Sequence, residues 1–213
     1  MLNLKGREYV LLLSAVAANT LVYSGARAIA GDRQHLCLAT ALDEAVPFLP
    51  WTIVIYWGVA LPFWVFGYVW AVKQDRTEAN RFFLAHLLGE WGCFCCFVLL
   101  PTTMKRPDVM GNDLFSWLVQ LTYVLDHPDN LLPSIHCFVS WLCWIDVREN
   151  RKAPLWYQIL SFFLASAVCI STLTVKQHVL VDAAAGIALA EASFWTAGRL
   201  CPYLTKIAKN TVS

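Results

Sequence analysis

PWTIVIYWGVALPFWVFGYVWAV, Pro50–Val72, is the stretch that settles the class of this chain. It holds no charged residue and exceeds the roughly 20 apolar residues that a helix needs to cross a bilayer. Working outward, the same reading finds five more apolar runs bounded by charge: Tyr9–Ala28, Phe82–Leu100, Leu132–Val147, Leu155–Val175 and His178–Leu200. Leu132–Val147 is short for a full crossing, and its Pro133-Ser134 start points to a helix beginning slightly inside the membrane surface. The longest connection, Pro101–Leu131, carries a weakly apolar piece, Leu114–Leu125, expected to lie along the interface. The expectation is an all-α integral membrane bundle of six transmembrane helices, one domain over residues 1–213.

Composition agrees. Of 213 residues 58% are hydrophobic and 15% charged, against about 25% charged in a soluble domain. A net charge of +1 leaves no footprint for nucleic acid, so partners are sought in the lipid phase and the oligomeric state stays open. Most of the eight cysteines fall inside apolar runs, where a thiol packs as a small hydrophobe. The cluster Cys93, Cys95 and Cys96 lacks the second ligand pair of a zinc site. No disulfide framework, metal or other cofactor is expected. The first run outlasts a secretory signal core of about 7–15 residues and reads as an uncleaved helix.

Basic residues set the orientation. With a cytoplasmic N-terminus, the inner side holds Lys5, Arg7, Lys73, Arg76, Arg81, Arg148, Arg151, Lys152, Arg199, Lys206 and Lys209; the outer side holds Arg27, Arg33, Lys105, Arg106 and Lys176. Both termini are therefore expected in the cytoplasm, with the plasma (cytoplasmic) membrane as the location.

Three segments then meet at the outer face: Met104-Lys105-Arg106-Pro107, Pro133-Ser134-Ile135-His136 and Lys176-Gln177-His178-Val179-Leu180-Val181-Asp182. Ionisable groups at one membrane depth are costly and usually serve an interior site. His178 and Asp182 are i and i+4, so on a helix a carboxylate would fix one imidazole nitrogen and leave the other nucleophilic. Ser134 stands where an N-cap belongs, at a helix start whose free N–H groups suit phosphate. His136, two residues on, is within reach of the same anion as general acid and base. Arg106 offers a planar fork and Lys105 a point charge. Taken singly, each segment also has a plain reading, as a capped histidine, an ordinary helix cap or solvated loop charge. Together they describe a phosphate cradle. No acidic cluster for a divalent metal accompanies it, and Asp126, His127 and Asp129 read as loop polarity. Glu90 and Glu191 read as partners between spans, and His35 and His86 as interfacial or packed.

This three-part pattern resembles the phosphatidic acid phosphatase type 2 superfamily. Its motifs run lysine-x6-arginine-proline, proline-serine-x-histidine and serine-arginine-x5-histidine-x3-aspartate. The matching residues are Arg106 and Pro107, then Pro133, Ser134 and His136, then Ser171, His178 and Asp182. Two positions depart: Leu99 stands for the lysine and Thr172 for the arginine, with Lys105 and Lys176 near enough to supply charge. Pro-Ser-Ile-His and Lys-Gln-His look more similar to the branch of inositol phosphorylceramide synthases and related bacterial membrane phosphatases. The resemblance implies metal-independent phosphoryl transfer from a lipid phosphate. His178 would be the nucleophile, Asp182 its orienter and His136 the proton shuttle, with Arg106, Lys105, Lys176 and the helix start at Ser134 holding phosphate. With water as acceptor the chain is a lipid phosphatase; a hydroxylated acceptor makes it a phosphotransferase. A lipid-phosphate binding or transport protein needs only the cations. Water is the expected acceptor, because the outer loops show no evident second polar pocket.

Overall fold

The computed structural model describes Leu4 and residues 6–211, the last seven by backbone alone. Lys5 and the side chains of Lys206 and Lys209, counted above on the inner side, lie outside the described residues. The chain is 75% helical. Helix α1 (Gly6–Ala30) is followed by the short α2 (Ala41–Ala45). A 3₁₀ turn, Pro50–Thr52, and a π-helical turn, Val54–Val59, run into α3 (Ala60–Lys73). Then come α4 (Arg76–Leu99), α5 (Leu114–Leu125), α6 (Ile135–Glu149), α7 (Leu155–Thr174) and α8 (Leu180–Thr211). Strands β1 (Leu36–Cys37) and β2 (Thr102–Thr103) pair in parallel, Leu36 with Thr102 and Cys37 with Thr103, tying the connection after α1 to the one after α4.

Five helical segments are long and apolar enough to cross a membrane: Gly6–Ala30, Pro50–Lys73, Arg76–Leu99, Leu155–Thr174 and Leu180–Leu204. Their outward faces are apolar. On α1, Val10, Leu13, Val16 and Leu21 are exposed, a pattern that suits lipid rather than water. The remaining expected span, α6, has 15 residues and covers about 22 Å, short of the roughly 30 Å hydrocarbon layer. It is enclosed instead: α6 packs against α3, α4, α7 and α8 and buries Phe138, Leu142 and Ile145 completely.

Local chemistry sets the ends. Helix α4 begins at Arg76, ahead of the expected Phe82, because the Asp75 carboxylate accepts the N–H groups of Thr77 and Glu78. The π-helical turn Val54–Val59 lies just before Pro62, whose missing N–H breaks the regular ladder there. Small residues set the helix spacing. A Cβ at Gly67 would stand 2.6 Å from Cys143 Sγ, and one at Gly186 would stand 2.5 Å from the Ser134 carbonyl oxygen. At the opposite end of the bundle, Glu191 of α8 accepts from Arg148 of α6 at 2.9 and 3.1 Å and from Trp141 at 3.0 Å, the pairing between spans that its position suggested.

Candidate active site

The N-termini of α6 and α8 meet backbone to backbone. Ser134 caps α6 through its Oγ, which accepts the Cys137 N–H at 3.3 Å, and its own N–H donates to the Asp182 carbonyl at 3.0 Å. Gly186 permits this approach, since any Cβ there would collide with Ser134. His136 sits in the first turn of α6 and His178 just ahead of α8, with ring centroids 6.3 Å apart.

The connection carrying His178 is shaped by how α7 stops. Lys176 adopts a left-handed φ of 55°, while the N–H of Lys176 bonds Leu173 O and that of Gln177 bonds Thr172 O. This is a Schellman stop with lysine where glycine is usual. It throws Gln177 and His178 back across the end of α7. Asp182, in the first turn of α8, reaches back: its Oδ2 accepts the Val179 N–H at 3.0 Å and lies 3.5 Å from His178 Nδ1. The expected pairing of His178 and Asp182 thus holds in distance but not in origin. His178 is outside the helix, and the carboxylate meets it while capping the helix start.

Arg106 is fixed from three sides. Its Nη1 donates to the Asp126 carbonyl at 2.6 Å, its Nη2 to Gln177 Oε1, and its guanidinium lies 4.6 Å from the Tyr123 ring centre. Burial draws its pKa down while Asp126 and Tyr123 pull it up; an arginine so placed remains a cation. Asp126 in turn accepts the Tyr23 hydroxyl at 2.5 Å, so a residue read as loop polarity is part of the scaffold under Arg106. Asp129 pairs with Arg27 at 3.2 Å.

Beside His178 and Arg106 opens a cavity of about 660 Å³, with Lys105 and Lys176 on its wall and Asp43 and Glu44 facing them. Lys105 is exposed at the rim. Lys176, expected as a phosphate ligand, lines this cavity with its Nζ donating to the carbonyls of Asp43 and Val46 at 2.8 and 2.6 Å, so it also anchors the connection after α1. Ser134 is likewise completely buried with its hydroxyl engaged in the cap, and only the helix start it creates is left for an anion. Asp43 was missed altogether. Its Oδ1 accepts the Leu180 N–H at 2.6 Å, capping α8 from a distant segment. Burial raises the Asp43 carboxyl, but the bonds from Leu180 and Thr40 and the charge of Lys176 outweigh it and hold it below the usual range.

Tyr56 was missed as well. Its ring stacks on His136 at 4.4 Å, and Trp64 stands 5.2 Å from the same imidazole. The one signal in the sequence was Pro62, upstream of which the π-helical turn turns Tyr56 inward. The two departures from the family pattern bring no charge: Leu99 is 75% exposed, and Thr172 is completely buried with its hydroxyl on Cys169 O at 2.7 Å. Among the described residues no group of three His, Cys, Asp or Glu side chains is arranged to hold a metal ion.

Five buried polar atoms at this site have no hydrogen-bond partner in the protein: Tyr56 Oη, Arg106 Nε, Gln177 Nε2, His178 Nδ1 and Asp182 Oδ1. Native interiors rarely leave such atoms unpaired outside functional sites. No family model, curated protein or solved structure matches the chain. What the site does must follow from its geometry.

Proposed function

We propose that the chain is a six-span membrane phosphatase of the phosphatidic acid phosphatase type 2 kind, acting on a lipid phosphate through a phosphohistidine. The observation that carries this reading is the facing pair of histidines, 6.3 Å between ring centres, with Asp182 behind His178 and Arg106 beside it. The two imidazoles and Arg106 are gathered around one site, where bound substrate must bring the reacting atoms to about 3–3.5 Å.

With Nδ1 turned to Asp182, the free Nε2 of His178 attacks phosphorus. The bond from phosphorus to the lipid oxygen breaks, and that oxygen takes a proton from His136, leaving as the lipid alcohol. Neutral His136 then takes a proton from water, whose oxygen attacks the phosphohistidine; the P–N bond breaks, releasing phosphate and restoring His178. Arg106 and the helix start at Ser134 stabilise charge on the phosphoryl oxygens, the part a divalent metal plays elsewhere. In this reading α6 is the sixth crossing, the termini are cytoplasmic and the site faces outward in the cytoplasmic membrane.

The test is purified protein in detergent against a panel of lipid phosphates, with excess chelator and with or without millimolar inositol, glycerol or choline. Free phosphate should match lipid consumed in every arm. A new phosphodiester would replace water with an alcohol acceptor, and activity restored only by added metal would overturn the cradle. Single cysteines in Asp108–Asp113, on a background lacking reactive native cysteines, should react with an impermeant thiol reagent on intact cells. Reaction only after lysis would reverse the orientation.

A further inference from the structure

Tyr56, His136, His178, Gln177 and Arg106 are successive neighbours drawn from separate parts of the chain. Tyr56 stacks on His136, His136 lies beside His178, Gln177 precedes His178, and its Oε1 accepts from Arg106. Tyr56 and Gln177 are each only 1% exposed, yet the hydroxyl of one and the amide Nε2 of the other lack partners, as does Arg106 Nε. All three are donors. A buried donor without an acceptor costs stability unless a ligand supplies one.

We propose that Tyr56 Oη, Gln177 Nε2 and Arg106 Nε together form the pocket for the phosphoryl oxygens, so that two neutral donors and one cation contact the transferred group. The inference rests on the phosphoryl-transfer reading above and names the contacts within that site. It accounts for three facts at once. Lys105 is exposed at the cavity rim and Lys176 is bound to carbonyls, while Leu99 and Thr172 carry no charge, so the only buried or half-buried cation left to the centre of the site among the described residues is Arg106. The Gln177 amide is held with its oxygen on Arg106, which turns its N–H groups away from the guanidinium. The aromatic stack that fixes His136 also fixes where the Tyr56 hydroxyl stands, so acid and oxyanion donor move together.

The test uses the full chain in detergent with inorganic orthovanadate, a phosphoryl analogue, read by the melting temperature and by the fluorescence of Trp57 and Trp64 beside His136. Wild type should be stabilised and its fluorescence altered by vanadate, and His178→Asn should lose both responses. Tyr56→Phe keeps the stacked ring. It should weaken vanadate binding about tenfold, the usual worth of a hydrogen bond to a charged partner. Its melting temperature without vanadate should be equal to or above that of wild type, because the hydroxyl has no protein bond to lose. Gln177→Glu, which keeps the acceptor for Arg106 but removes the donor, should weaken binding further. Wild-type affinity in both variants, with the wild-type response intact, removes the pocket and leaves the phosphatase reading standing. A lower melting point for Tyr56→Phe without vanadate makes the hydroxyl structural. A wild type blind to vanadate overturns the phosphatase reading and the pocket with it.

Discussion

Two histidine–carboxylate pairs in this chain share spacing and burial and differ in their surroundings. His86 and Glu90 on α4, like His178 and Asp182, are i and i+4 and almost wholly buried, with side chains 3.8 and 3.5 Å apart. In the α4 pair both ring nitrogens have neighbours: the Tyr68 hydroxyl lies 2.8 Å from Nδ1, and the Ala15 carbonyl lies 3.3 Å from Nε2. Asn19 donates to Glu90 at 3.1 Å. In the outer pair Nδ1 lies toward Asp182, and the His178 ring borders a cavity shared with Arg106. Spacing brings an acid to a histidine; the cavity beside the ring is what sets the outer pair apart.

The largest effect expected from this contrast is at His178. His178→Ala should remove activity by a factor on the order of 10⁵–10⁶, as loss of a nucleophile does, whereas His86→Phe should leave kcat within about twofold. His86→Phe should instead lower stability by about 1–3 kcal/mol by stranding Tyr68 and Glu90, measured by thermal melting. If His86→Phe proved as inactive as His178→Ala, the contrast would break. Asp182→Asn keeps an acceptor for the Val179 N–H but withdraws the charge behind His178, and should cost about 10³–10⁴ in kcat. His136→Ala should slow both phosphoryl transfer steps by about 10²–10⁴, seen as parallel losses in single-turnover phosphorylation and dephosphorylation.

The smallest effect is expected at Asp43, which braces α8 from outside the reacting groups. Asp43→Asn should lower stability by about 0.5–2 kcal/mol, the range for losing a helix cap, with little change in kcat. Its folded-state pKa is depressed, so its stabilisation is complete above the unfolded value of about 3.9 and disappears as pH falls through the lower folded value. The gap in melting temperature between wild type and Asp43→Asn should therefore be full at neutral pH and close in strong acid. A gap that instead widened toward low pH would show that the carboxylate does not cap α8.

The same contrast explains what the sequence could convey. Long apolar runs announced the helices, and the apolar piece Leu114–Leu125 appears as a helix with those bounds, because periodicity and caps act within one turn or two. Pro133-Ser134 announced the α6 start for the same reason: the cap bond to Cys137 spans three residues. The contacts that build the site span far more. Asp43 reaches Leu180 across 137 positions, and Arg106 reaches Gln177 across 71. No local pattern encodes such pairs. Lys176 in sequence reads only as a cation beside a histidine, while its left-handed backbone and two carbonyl partners emerge only when the segment after α1 folds over the start of α8. Tyr56 was hidden within an apolar run that needed no further explanation.

The proposed function makes His178, and not its twin on α4, the residue that carries the phosphoryl group. Protein reacted briefly with a phosphorus-labelled lipid phosphate, quenched in alkali and digested should yield one acid-labile, alkali-stable phosphopeptide. Mass spectrometry should place the phosphate on His178, with none in His178→Ala and slower labelling of the same residue in His136→Ala. Label on any other residue, or equal labelling of wild type and His178→Ala, would contradict the account.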